Sequence, residues 1–310
     1  MKGLELAERY YLEYGAPMLQ EQFPQLEGLL AVGLVGSGSE CFGYDDTLSQ
    51  DHDFEPGFCI FLPEESLVDR TTAFALERAY ARLPAEFMGM ERCKRGPVGG
   101  NRHGVLRISD FLLEKTGTPD GRLELRDWFF IPEQSLAEAT NGKLFRDDTG
   151  LMTALRQKLS ALPEPVRLKK LAGSLLLMGQ AGQYNYPRCM ARGETAAARL
   201  AVHEFVQNAL HAAFLLEKKY LPYYKWSFRA LRELAALHTL HQPLEELLAG
   251  GLSHAETLAR IDTVTETVAA ALQQCGLTAL PSRELESQAY AVNQRISDAE
   301  IRNLHILYGV

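Results

Sequence analysis

Two short apolar runs constrain this chain most, Leu29-Leu30-Ala31-Val32-Gly33-Leu34-Val35 and Phe58-Cys59-Ile60-Phe61-Leu62. Each is bounded by turn-forming or acidic residues, and each reads as a buried strand. Between them lie the small-residue turn Gly36-Ser37-Gly38-Ser39-Glu40-Cys41-Phe42-Gly43 and the acidic segment Asp51-His52-Asp53-Phe54. On an extended strand residues i and i+2 share a face, so Asp51 and Asp53 are expected to project together while His52 points away. Paired carboxylates repel unless a cation sits between them. A hard divalent ion, Mg²⁺ or Mn²⁺, fits such a pair and completes its shell with water and substrate phosphates. Gly36 and Gly38 let backbone N–H groups approach a phosphate without a Cβ, and Ser37 and Ser39 add hydroxyl donors. The expected site is therefore a nucleotide cradle at residues 36–39 beside a metal pair at Asp51 and Asp53.

Other sequence motifs fit less well. A dinucleotide fingerprint needs glycine where Cys41 stands, and no Gly-Lys-Ser/Thr follows for a P-loop. An Asp-x-Asp pair near a turn is also compatible with a solvated acidic turn. With Val35-Gly36-Ser37, thirteen intervening residues, and Asp51-His52-Asp53, the chain resembles the nucleotidyltransferase superfamily, which includes polymerase-beta-like and aminoglycoside-modifying enzymes. The spacer stands at the long end of that pattern. More closely it resembles an uncharacterised bacterial branch, the DUF4037 family. The closer likeness rests on the turn and acid pair together with Asp127-Trp128, Thr140-Asn141-Gly142, Tyr184-Asn185-Tyr186-Pro187-Arg188 and Tyr220-Leu221-Pro222-Tyr223-Tyr224-Lys225-Trp226.

At 310 residues and 46% hydrophobic content, the chain can build two ordinary domains. Its longest apolar runs are too short to span a bilayer, and its first residues alternate charge with apolar side chains, so a cytoplasmic protein is expected. Five scattered cysteines with no Cys-x-x-Cys pair suggest neither a zinc site nor a disulfide framework. Cys41, beside the cradle, is either a nucleophile or a small packing residue. The formal charge of −8 is uneven: residues 1–150 carry net −11 and residues 151–310 net +3. Ten Lys or Arg face three Glu within residues 167–229, which suits a polyphosphate ligand. Arg167, Lys169, Lys170, Lys218 and Lys219 are expected to solvate helix faces.

Residues 4–22 have helical spacing broken near Gly15-Ala16-Pro17, and residues 65–83 form a helix closed by Pro84. A glycine-rich, basic loop over residues 92–102 either closes over a triphosphate or is a surface loop. Strands are expected at residues 105–108 and 143–146, with a turn at 147–150. Beyond residue 151 strand signals fade, and helices are expected at 166–180, 194–219, 227–238, 244–248, 255–275 and 298–307. The fold class is thus α+β, an α/β-type N-terminal nucleotidyltransferase-like domain with a small mixed sheet (1–150), followed by an all-α bundle (151–310) that binds substrate.

The resemblance implies Mg²⁺-dependent transfer of a nucleoside monophosphate from a nucleoside triphosphate, ATP first among them, to a hydroxyl-type acceptor. Such enzymes add a third acid on a later strand. No carboxylate lies within residues 103–109, so Asp110 is the first candidate, with an alternative role as a helix cap; Glu55 is the second and Asp127 the third. Without a third acid, a nucleotide-binding sensor lacking catalysis becomes the competing reading. In the helical half, residues 220–226 interleave aromatics with Lys225, as in base stacking with a phosphate contact, or as in a buried aromatic knot. Arg188 and Arg192 are either phosphate ligands or partners of Glu194 and Glu204. Arg232 and His238 have the spacing of RNase-like modules of toxin–antitoxin pairs. The net charge offers no support for nucleic-acid binding, and the acceptor and oligomeric state have no sequence signature.

Overall fold

The computed structural model describes residues 1–47, 55–92 and 103–310. Asp51 and Asp53, and residues 93–102 of the basic loop, lie outside the described residues. The chain forms two compact units, residues 1–123 with 134–160, and residues 124–133 with 161–310.

The first unit opens with α1 (Gly3–Tyr10), one wide turn (Tyr11–Gly15) and α2 (Ala16–Gln22). The expected break is thus a local widening of the helix. Gly15 is required there because a Cβ would stand 2.4 Å from the Phe58 ring. The chain continues through β1 (Ala31–Leu34), α3 (Ser39–Phe42), β2 (Cys59–Leu62) and α4 (Arg70–Ala81). Asp69 caps α4 by accepting from the Thr72 amide at 2.7 Å. A two-residue hairpin, β3 (Glu86–Phe87) and β4 (Met90–Glu91), leads to β5 (Gly104–Arg107) and α5 (Ile108–Thr116). After α6 (Glu133–Thr140) come β6 (Lys143–Asp147) and α7 (Leu151–Lys158).

The sheet is mixed, in the order β5-β2-β1-β6. β1 is antiparallel to β2 and β6, and β2 is parallel to β5. The pairing slips between Val32 and Gly33, where a Cβ on Gly33 would meet the Lys143 carbonyl at 2.4 Å. Ile60 and Leu62 of β2 share a core with Val32, with Leu6, Tyr10 and Leu19 of the first two helices, and with Leu76 and Tyr80 of α4. The alternate residue Phe61 meets Phe111 of α5, ring centroids 5.4 Å apart. Burial on both faces explains why β1 and β2 read as continuous apolar runs instead of alternating ones.

The second unit is helical: α8 (Glu164–Met178), a wide turn (Gly179–Asn185), α9 (Tyr186–Ala191), α10 (Thr195–Leu216), α11 (Tyr224–Arg232), α12 (His241–Ala249), α13 (His254–Gln274), α14 (Leu285–Gln294) and α15 (Ala299–Asn303). α8 packs between α10 and α14. A capping box, Ser253 with Glu256, starts α13. Among the described residues no helix is long and apolar enough to cross a membrane.

Candidate functional site

The Gly-Ser turn leaves the C-terminal end of β1. Gly36 and Gly38 take φ values of 114° and 130°, a region open to glycine, so the turn's shape needs them. The turn is clamped from β6's side of the unit. The Gly36 N–H donates to Asn141 Oδ1 at 2.9 Å, and Asn141 Nδ2 donates back to the Gly36 carbonyl at 2.8 Å. Gly142 N–H reaches the Cys41 carbonyl at 2.9 Å. Gly142 has φ 64°, and a Cβ on it would stand 2.0 Å from the Leu34 carbonyl oxygen. Arg156 then collects the last carbonyls of α6, donating to Ala139 at 3.2 Å, to Thr140 at 2.9 Å, and to Asn141. Burial lowers its guanidinium pKa, opposed by Cys41 and Asp147.

Glu40 of α3 is buried, and a Cβ on Gly38 would meet its carboxylate at 2.3 Å. The cradle therefore contains an acid as well as amides. Cys41 is buried against Ala7 and Leu34, with Sγ 3.9 Å from the Ser37 carbonyl, which places it among the packing residues. Burial pushes the Cys59 thiol up to about 12.

Register decides which acids share this end of the sheet. Gly33 pairs with Cys59 across an antiparallel ladder, and Cys59 pairs with Gly104 across a parallel one. The end of β1 and the starts of β2 and β5 therefore coincide. There, Glu55 Oε1 lies 3.1 Å from His103 Nδ1, with both side chains largely buried. Asp110 stands at the other end. It follows Arg107, whose partner is Leu62, and sits exposed in the first turn of α5. Nor does it cap that helix, because α5 begins at Ile108 after Arg107. Asp110 instead borders a groove with Arg70, Phe74, Glu77 and Arg107.

In the helical unit, Arg188 lies 4.4 Å over the Tyr184 ring, and Lys225 lies 5.0 Å over Trp226. Residues 223–225 are exposed, so they form no buried knot. Asp127 serves a turn, accepting from the Glu124 amide at 2.8 Å. Arg232 pairs with Glu245 at 2.8 Å, and His238 opens a separate short turn. The expectation that residues 167 and 169 solvate a helix face is overturned. Arg167 is buried, bonded to the Leu215 carbonyl at 2.7 Å and to Glu164. Lys169 is fully buried and donates to Asn293 Oδ1 (2.9 Å) and to the carbonyls of Arg302 (3.1 Å) and Leu304 (2.6 Å). Burial lowers its ammonium pKa.

A further cluster had no counterpart in the sequence reading. Glu133 is buried, accepts from the Leu221 N–H at 3.2 Å, and lies 3.5 Å from His211 Nδ1. Burial pushes its carboxyl up, but His211, Lys170 and the Leu221 amide outweigh it and hold the group below the usual range. Burial and Glu133 together push the Tyr220 phenol above its ordinary value. Residues so far apart in sequence leave no spacing signal.

Residues 128–227 match a family described as a domain of unknown function (DUF4037). No curated protein matches the chain. The DUF4037 match includes the Asn141-Gly142 clamp, the Glu133 cluster, Arg188 and Lys225, and stops short of the Gly-Ser turn and the acid pair. It agrees with the closer resemblance over that stretch and leaves the reaction open.

Proposed function

We propose that the first unit is a nucleotidyltransferase. It would move a nucleoside monophosphate from a nucleoside triphosphate, ATP first, to a hydroxyl-bearing acceptor. The observation that carries this reading is the coincidence, at one end of the sheet, of a clamped Gly-Ser turn with the start of β2 at Cys59, six positions after Asp53 in sequence. In this reading Gly36, its N–H held by Asn141, shapes the turn, and residues 37–39 offer backbone and hydroxyl donors to the phosphates.

Among the described residues no three His, Cys, Asp or Glu side chains gather as a metal cluster. The fit to a divalent ion rests on oxygen donors. Glu55 is an acid at the correct end of the sheet, two positions beyond Asp53, and oxygen-rich sets suit Mg²⁺ or Mn²⁺. Asp51 and Asp53 would hold the ion, which supplies charge neutralisation on the triphosphate. Glu55 takes the third-acid place in preference to Asp110, which lies at the opposite end of the strands. With His103 it forms the pair suited to accept the acceptor's hydroxyl proton.

The test is pyrophosphate release from ATP and Mg²⁺ across a panel of alcohols, aminoglycosides, proteins and RNA ends. Wild type is expected to turn over with one class. Asp53→Asn should abolish release and Asp110→Asn should not, with circular dichroism unchanged in both. Calorimetric ATP binding without turnover on any acceptor would replace this reading with that of a sensor.

A further inference from the structure

We propose that the loop joining α10 to α11 binds a single-stranded nucleic acid. Three of its residues, Lys218, Lys219 and Tyr223, are exposed together with Tyr224 and Lys225 in the first turn of α11, which brings three cations and two aromatic rings together over eight positions. The two tyrosine rings lie 4.3 Å apart, and Tyr224 is 76% exposed. Tyr224 thus presents most of its ring to water, and aromatic faces flanked by cations are the arrangement that holds unpaired bases and their phosphates.

The loop is held in place at both ends by buried or fully engaged acids. Glu133 takes the Leu221 N–H. Glu217 takes three amides, those of Ala235 (2.8 Å), Ala236 (2.8 Å) and Leu237 (2.9 Å). The C-terminus of α10 closes through Lys218 N–H to the Leu215 carbonyl (3.3 Å) and Lys219 N–H to the Phe214 carbonyl (2.9 Å). That closure puts Lys218 at φ 55°, where glycine is the usual residue. A lysine there costs backbone energy and gains only an outward cation.

The neighbouring carboxylates are already occupied. Glu164, which feels the charge of Lys218, is bonded twice to Arg167 (2.8 and 2.6 Å), whose guanidinium offsets its charge, whereas Glu217 keeps its charge while accepting the three amides and attracts Lys219, leaving three lysines against one uncompensated carboxylate. The surface thus keeps positive character within a chain of net charge −8. Exposed aromatics favour unpaired bases over a duplex, whose bases are stacked on one another.

The experiment is fluorescence anisotropy of the full-length chain with a labelled single-stranded RNA of mixed sequence, a hairpin duplex of the same length, and polyglutamate, all without ATP or Mg²⁺. Binding should prefer the single strand. Its logarithmic salt dependence should have a slope of about −2 for three phosphate contacts, falling by about 1.4 in Lys218→Ala/Lys219→Ala. Tyr224→Ala should weaken binding about 5- to 150-fold. All these side chains are exposed, so the variants are expected to keep the wild-type circular dichroism. The proposal is overturned if the duplex binds as tightly, if Tyr224→Ala has no effect, or if polyglutamate competes for binding, which would assign the face to an acidic protein. Binding retained in Asp53→Asn separates this outcome from the fate of the nucleotidyltransferase reading.

Discussion

Replacing Asn141 tests the clamp on the Gly-Ser turn most directly. Its amide makes two hydrogen bonds to one residue, accepting from Gly36 N–H at 2.9 Å and donating to the Gly36 carbonyl at 2.8 Å. Gly36 is buried, so Asn141→Ala leaves a donor and an acceptor without partners. Each such loss costs about 1–3 kcal/mol, and the exposed neighbour Ser37 gives water some access, which places the sum near the low end, about 2–3 kcal/mol. Because the chain has two units, a global unfolding midpoint would mix transitions. Hydrogen exchange at the Gly36 amide reads the clamp locally. At tenfold per 1.4 kcal/mol, the expected acceleration is about 30- to 150-fold. Asn141→Asp keeps the acceptor and should protect that amide better than alanine does, while turning a carboxylate toward the Gly36 carbonyl. Exchange in Asn141→Ala within about threefold of wild type would refute the reasoning, because two partners would then have been removed at no cost.

Two further outcomes are expected. Gly142→Ala adds a Cβ 2.0 Å from a backbone oxygen at φ 64°, with no side chain able to yield, so the first unit should lose about 3 kcal/mol or more; a wild-type melting curve would contradict this. Glu133 carries a carboxyl held below its usual range, so its contribution is full above the ordinary glutamate value and is lost as pH falls through the folded value. The stability gap between wild type and Glu133→Gln, measured in urea from roughly pH 7 to pH 3, should start near 1–3 kcal/mol and narrow on acidification; a gap constant with pH would sink the assignment.

Much of the first unit was legible because its signals are local. Strands β1, β2, β5 and β6 stand where short apolar runs and turn residues indicated them, and the helix break at Gly15 was visible as Gly-Ala-Pro. The placement of the candidate third acids was not legible. Along the sequence Asp110 ranks ahead of Glu55 and Asp127, and only the parallel pairing of β2 with β5 sends Asp110 and Glu55 to opposite ends of the sheet. Thr140-Asn141-Gly142 stood out as a resemblance without a reason; the reason is a pair of backbone bonds across 105 residues, which no periodicity encodes. α6 and α7 were not anticipated, since both are short and flanked by polar residues that weaken an apolar stripe.

The basic excess in residues 167–229 shows why a charge count misleads about where binding occurs. Arg167 and Lys169 are consumed in the interior, where a carboxylate, an amide and main-chain carbonyls replace water. Lys170 is pulled down by burial and steadied by Glu133. Arg188 lies on its own neighbouring tyrosine. Six cations remain, Arg192, Arg199, Lys218, Lys219, Lys225 and Arg229, and of these Lys218, Lys219 and Lys225, the last 5.0 Å over the Trp226 ring, are exposed within the eight positions that also carry the exposed Tyr223 and Tyr224. Coulomb attraction to a ligand phosphate is strong only for charges that the fold has not already engaged. Substituting buried Arg167 should therefore change stability and leave salt-dependent binding alone, whereas substituting Lys218 should do the reverse.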